Sequence, residues 1–148
     1  MRNLFKALVV TGGLLFGSVA QAWQMAPLTL AEGEIWVSGE IVSSLQEAFD
    51  KVAEGGVIKI GPGTYKKGAV LKEKNKIKKD GVHIIGMAGT VFDNAAVAGK
   101  GAFVIAANDI TIENITCRNI EVRDRNGACV RFEGTTLTLR NVTFTDSD

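Results

Sequence analysis

Hydrophobic and polar positions alternate over two stretches of this chain, and the two stretches match. Ile110, Ile112, Ile115 and Cys117 alternate with Thr111, Glu113 and Thr116 around Asn114. Leu137, Leu139, Val142 and Phe144 do the same with Thr138, Arg140 and Thr143 around Asn141, 27 residues later. Alternation of period two marks half-buried strands, and self-similarity at a fixed period of this size marks stacked repeats. Val82-His83-Ile84-Ile85-Gly86 aligns with both copies and places Gly86 in the asparagine column. Gly and Asn take the left-handed backbone at least cost, so that column predicts a sharp bend between two short strands. Gly101-Ala102-Phe103-Val104 and Gly127-Ala128-Cys129-Val130 supply a further strand, and their alignment puts Arg131 and Glu133 one coil above Ile105 and Ala107. Like strands stacked in parallel, with right-handed crossovers, give an all-β fold, a right-handed parallel β-helix (a solenoid) with columns of aliphatic side chains inside. Glu113 and Arg140 are expected to meet on neighbouring coils as a cross-strand ion pair.

The periodicity changes upstream. Leu45, Ala48, Phe49 and Val52 fall at helical spacing, Ser44 can cap the helix, and Glu47 completes a capping box. Gly55-Gly56 ends the helix. Val57 to Ile60 reads as a strand, and Gly61-Pro62-Gly63 as a turn. Residues 34–42 alternate loosely and read as one short strand within an entry segment, 23–42. The helix is expected to cap the N-terminal end of the stack.

The first 22 residues read differently. Arg2 and Lys6 precede a short apolar run, and Ala20-Gln21-Ala22 offers small residues at a cleavage site. This predicts a secretory signal peptide, 1–22, cleaved before Trp23, with no membrane segment in the remainder. Cleavage leaves fifteen basic and sixteen acidic side chains, a near-neutral balance that excludes a general nucleic-acid binder. A secreted or periplasmic location makes a Cys117–Cys129 disulfide conceivable. Alternation, however, turns Cys117 inward and Cys129 outward, and sulfurs that do not converge cannot pair; two separate cysteines are the expectation.

Two phrases carry a resemblance. Ser44 to Tyr65, with its helix and Gly61-Pro62-Gly63-Thr64-Tyr65 turn, and Asn126-Gly127-Ala128-Cys129-Val130-Arg131-Phe132-Glu133-Gly134 resemble the N-terminal cap and coils of the pectate-lyase-like right-handed β-helix superfamily, in its secreted bacterial branch. The resemblance covers 43–148 and rests on turn and core residues. It implies a carbohydrate-related role on an acidic polysaccharide, as a polysaccharide lyase, epimerase or glycoside hydrolase. Calcium is implied by the resemblance alone. Members carry more coils and a C-terminal cap, so the chain reads as truncated at Asp148, with a last coil whose exposed core is expected to self-associate.

The candidate site residues are few. Arg131 and Glu133 project from the strand at Ala128 and are the catalytic candidates, an Arg beside a carboxylate; a surface ion pair is the plain alternative. Lys72, Lys74 and Lys76 belong to a lysine-rich loop, 66–79, and Arg123 and Arg125 to a loop after Cys117. These are candidates for holding an anionic polymer, or simply solvated loops. Asp93, Asp109 and Asp124 form no recognisable metal motif, and His83 reads as an ordinary outward-facing histidine. No complete active site is expected in these residues. The competing expectation is a non-catalytic surface or periplasmic protein that binds glycan or protein through its strand faces.

Overall fold

The computed structural model describes residues 29–67, 76–97 and 99–147. The proposed signal peptide, Lys72 and Lys74 lie outside the described residues. Among these residues, eleven strands and one helix follow in the order β1 (Ile35–Val37), β2 (Glu40–Val42), α1 (Leu45–Lys51), β3 (Val57–Ile60), β4 (Gly63–Tyr65), β5 (Lys76–Ile77), β6 (His83–Gly86), β7 (Thr90–Asp93), β8 (Gly101–Ile105), β9 (Ile110–Arg118), β10 (Ala128–Phe132) and β11 (Leu137–Thr145).

The expected all-β parallel β-helix is corrected by the sheet pattern. The eight-stranded sheet is mixed: β1 runs antiparallel between β2 and β3, whereas β3–β6, β6–β9, β4–β7, β7–β9 and β9–β11 pair in parallel. A second sheet, β5–β8–β10, is parallel. The architecture is therefore a mixed parallel and antiparallel assembly with one short helix. What defeats the single-strand reading of 34–42 is its middle. Ser38 and Gly39 both have positive φ and join β1 to β2 with Val37 opposite Glu40, the two-residue hairpin geometry that matches strand twist.

Within this assembly the 27-residue correspondence is a register between neighbouring strands. Leu137, Leu139, Val142 and Phe144 lie opposite Ile110, Ile112, Ile115 and Cys117. The bend column is also present: Asn114 and Asn141 both have positive φ, and the Asn141 Nδ2 donates to Asn114 Oδ1 at 2.8 Å. Gly86 serves a different need. Its φ is not positive, but a Cβ there would strike the carbonyl oxygen of Asn114. A second left-handed column, Asn94, Asn119 and Asp146, turns the chain after β7, β9 and β11; the Asn94 and Asn119 amides donate to the carbonyls of Arg118 and Thr145. In the three-stranded sheet Ala128, not Gly127, lies opposite Gly101. The sequence match of the two Gly-Ala phrases is thus one residue out of register, and Arg131 lies opposite Val104 rather than Ile105.

Helix α1 closes one end of the core. Ser44 Oγ accepts from the Glu47 amide, and the Glu47 carboxylate accepts from both the amide and hydroxyl of Ser43, one residue earlier than a standard capping box. These bonds hold the Glu47 carboxyl down at about 2, the Ser43 amide being the largest cause. Leu45, Ala48 and Phe49 are buried. The core runs from Phe49 through Phe103 and Phe92 to Tyr65, with ring centroids 6.4, 4.7 and 5.2 Å apart in turn. Burial pushes the Tyr65 phenol up to about 12, while its hydroxyl donates to the Gly61 carbonyl at 2.9 Å.

The cysteines are a further correction, because Cys117 and Cys129 form a disulfide, with Cα atoms 5.8 Å apart. Strand alternation assigned Cys129 to water on the assumption that one side of β10 is wet. Cys129 is in fact buried, 4% exposed, and belongs to the same apolar core cluster as Cys117.

Candidate functional site

The three-stranded sheet gathers one cluster of charged side chains. Lys76 on β5 and Arg131 on β10 lie in one row, both opposite Val104 of the central strand β8. Parallel strands are about 4.8 Å apart, so the two stems stand about two strand spacings from one another. Their side chains converge on Glu133, just beyond β10. Arg131 Nε lies 3.0 Å from one carboxylate oxygen, and Lys76 Nζ lies 3.4 Å from the other. Lys100, entering β8, places its Nζ 3.9 Å from Glu133. The Glu133 carboxyl is held below its ordinary range by the Arg131 hydrogen bond first and by Lys76 next. At neutral pH it is an ionised acceptor already engaged by cations, which makes it a poor proton abstractor. Three cations around one carboxylate leave a local excess of positive charge on a chain that is otherwise near balance. Lys78 and Lys79 extend the patch and, with Gln46, Phe49, Asp50 and Lys76, line a hollow of about 490 Å³. Gln46 fixes its geometry by accepting from the Lys76 amide at 2.8 Å and donating to the Lys76 carbonyl at 3.3 Å, so helix and strand are tied together.

Of the sequence candidates, the structure brings Arg131, Glu133 and Lys76 into one cluster. Arg123 and Arg125 are exposed on the loop joining β9 to β10 and are not among the cations paired with Glu133. The carboxylates considered for calcium do not form a site. Asp93 is engaged by Asn119 and Arg118, whose hydrogen bonds lower its pKa, and Asp124 accepts from Asn126. Among the described residues no group of three or more His, Cys, Asp or Glu side chains is placed to hold a metal ion. The donor set does not fit calcium, which wants six to eight oxygens.

The larger sheet holds a second polar constellation, in which the Glu113–Arg140 pair is as expected and His83 is the member the sequence reading missed. Glu113 on β9 accepts from Arg140 on β11 at 2.8 Å, as its column position requires. The same carboxylate oxygen lies 3.2 Å from His83 Nε2 on β6. His83 does leave the core side of its strand, yet its side chain is only 12% exposed. Burial lowers its pKa, with the Glu113 charge pulling the other way. The signal was available: His83 aligns with Thr111, so it stands diagonally from Glu113 on the next strand. Beside this row, Asn114, Asn141, Thr116, Thr143 and the Met87–Thr90 turn line a neutral polar groove of about 340 Å³.

No protein-family model, no curated protein and no solved structure matches this chain. The Cys117–Cys129 disulfide points to an oxidising setting, extracellular or periplasmic. No helix among the described residues is long and apolar enough to cross a membrane.

Proposed function

We propose that this chain is the binding part of an exported protein that holds an acidic polysaccharide against the cationic row of its three-stranded sheet. The carrying observation is the convergence of Lys76, Lys100 and Arg131 on the single carboxylate of Glu133. A uronate carboxylate presents the same chemistry as Glu133 and can share or exchange its partners, Arg offering a planar fork and Lys a point charge. The resemblance to the pectate-lyase-like group supports the same ligand class, and the disulfide together with the proposed signal peptide supports secretion or periplasmic residence. Recognition of this kind is screened by salt, and each exposed cation is worth about two- to fivefold in affinity. The neutral groove of Asn114, Asn141, Thr116 and Thr143 favours a second reading, in which an uncharged glycan or a protein docks there.

Titration calorimetry of the purified chain with polygalacturonate, alginate and uncharged dextran separates the two. The proposal expects binding to both polyuronates that weakens with salt, no binding to dextran, and a combined loss of about four- to twenty-fivefold in an Arg131→Ala, Lys76→Ala double variant. Binding to dextran as tight as to the polyuronates, or indifference of polyuronate binding to the double variant, overturns it.

A further inference from the structure

We infer that Glu133 is an internal competitor for the ligand, so that the cationic row accepts only a chain carrying several closely spaced negative charges. This deepens the polysaccharide reading and rests on it. One carboxylate meets three cations: Arg131 at 3.0 Å, Lys76 at 3.4 Å and Lys100 at 3.9 Å. Arg131 belongs to β10, and Lys76 and Lys100 come from β5 and the approach to β8, so the cluster is built across strands that pair with one another. These pairs are wet. Glu133 is 33% exposed, and Lys76, Lys100 and Arg131 are 38, 42 and 46% exposed. Exposed ion pairs add little to stability, and an incoming carboxylate exchanges with Glu133 at small net gain.

The competitor is held on fixed backbone. The Glu133 amide donates to the Ile105 carbonyl at 2.7 Å, and at the next residue, Gly134, a Cβ would strike the Ala107 carbonyl oxygen. The Glu133 side chain therefore returns to the same cations whenever they are vacated, as an intramolecular partner at high effective concentration. A lone carboxylate gains from the cluster little more than Glu133 already supplies. A second negative charge on the same ligand changes the balance. Lys78 and Lys79 line the hollow of about 490 Å³ beside Lys76, and among the described residues neither has an ion-pair partner. Charges held there cost no exchange. They also keep the ligand's next carboxylate close to Arg131, and two linked contacts reach an affinity neither has by itself. Glu133 thus sets a threshold that a polyanion passes and its monomer does not.

Titration of polygalacturonate and of monomeric galacturonate into the unmodified chain and into Glu133→Gln tests it. The Gln side chain keeps the size and an oxygen acceptor for Arg131 while removing the charge. The expected result is a gain: Glu133→Gln binds the polymer about two- to fivefold more tightly. Its affinity also falls more steeply with salt, because one more positive charge is uncompensated. A Lys78→Ala, Lys79→Ala double variant loses about four- to twenty-fivefold in polymer affinity, and the advantage of polymer over monomer shrinks with it. In the unmodified chain the Arg131 Nε–H resonance moves as polymer is added, since its acceptor changes from Glu133 to a uronate; this reading needs no variant to fold. Polymer binding by the unmodified chain with equal or weaker binding by Glu133→Gln overturns the inference by itself. So does an Arg131 resonance that stays still at saturation, or an unchanged polymer advantage in the lysine variant. If neither the unmodified chain nor Glu133→Gln binds polygalacturonate, the polysaccharide reading fails and the inference falls with it.

Discussion

The column containing Ile112 and Leu139 gives a sharp comparison, because two aliphatic side chains in neighbouring strands of one ladder differ mainly in what lies above them. Ile112 is 1% exposed and covered on both sides by Ile84 and Leu139. Its replacement by Ala leaves a closed void and is expected to cost about 2–5 kcal/mol. Leu139 is 41% exposed. Full burial of such a side chain is worth about 1.5–3 kcal/mol, so about three-fifths of that, roughly 1–2 kcal/mol, is at stake, and the space left opens to solvent. Ile112→Ala is therefore expected to exceed Leu139→Ala by about 2 kcal/mol at the middle of the two ranges, which corresponds to roughly 8 °C in melting temperature at about 2.1 cal/mol/K of unfolding entropy per residue. Urea unfolding followed through the buried Trp36 measures both variants on the same scale. Equal losses, or a larger loss at Leu139, would refute the stacked order of these strands.

Two further outcomes follow from the covalent and titratable groups. The Cys117–Cys129 bridge closes a loop with a sequence separation of 12, so reduction or a Cys117→Ser, Cys129→Ser double variant is expected to lower unfolding free energy by about 3 kcal/mol; denaturant midpoints unchanged by reductant would contradict the bridge. His83 is held neutral mainly by burial, so its folded pKa lies below its ordinary 6.5. The unfolded chain then takes up this proton first, and stability is constant above pH 6.5 and declines as pH drops from there toward the folded value. His83→Gln is expected to flatten that part of the stability curve, leaving the steeper acid loss from carboxylates such as Glu47 and Glu133 in place; an identical slope in both proteins argues against a buried neutral histidine.

The features legible in the sequence were those whose cause is local or repeats at a fixed spacing. The Ser44 cap, the asparagine bends, the apolar columns and the Glu113–Arg140 pair all depend on residues adjacent in the chain or one period apart. The antiparallel β1–β2–β3 arrangement was not legible from alternation, because Ile35, Val37 and Ile41 fit one strand as well as two; only the Ser38-Gly39 pair marked the turn. The disulfide was missed because alternation sorts side chains into core and water, whereas along β10 Cys129 is buried and its neighbours Ala128 and Val130 are half-buried. The candidate site was legible as residue types, Arg131 beside Glu133, but its convergence was not. Lys76 and Lys100 reach that carboxylate from β5 and the approach to β8, and no sequence spacing announces the meeting. His83 looked ordinary because its partner sits diagonally across a strand rather than in its own column.

The parallel ladders tolerate unequal stretches of chain between them. From Val57 to His83 the step is 26 residues, from His83 to Thr111 it is 28, and from Thr111 to Thr138 it is 27. The surplus or shortfall is taken up in the connecting loops, and the facing residues stay matched. Insertions and deletions accepted over evolutionary time should therefore collect in segments such as 119–127, where they alter the outline of the protein and the reach of Arg123 and Arg125 while its interior stays the same. New surface specificities can arise there without the scaffold having to be refolded around them.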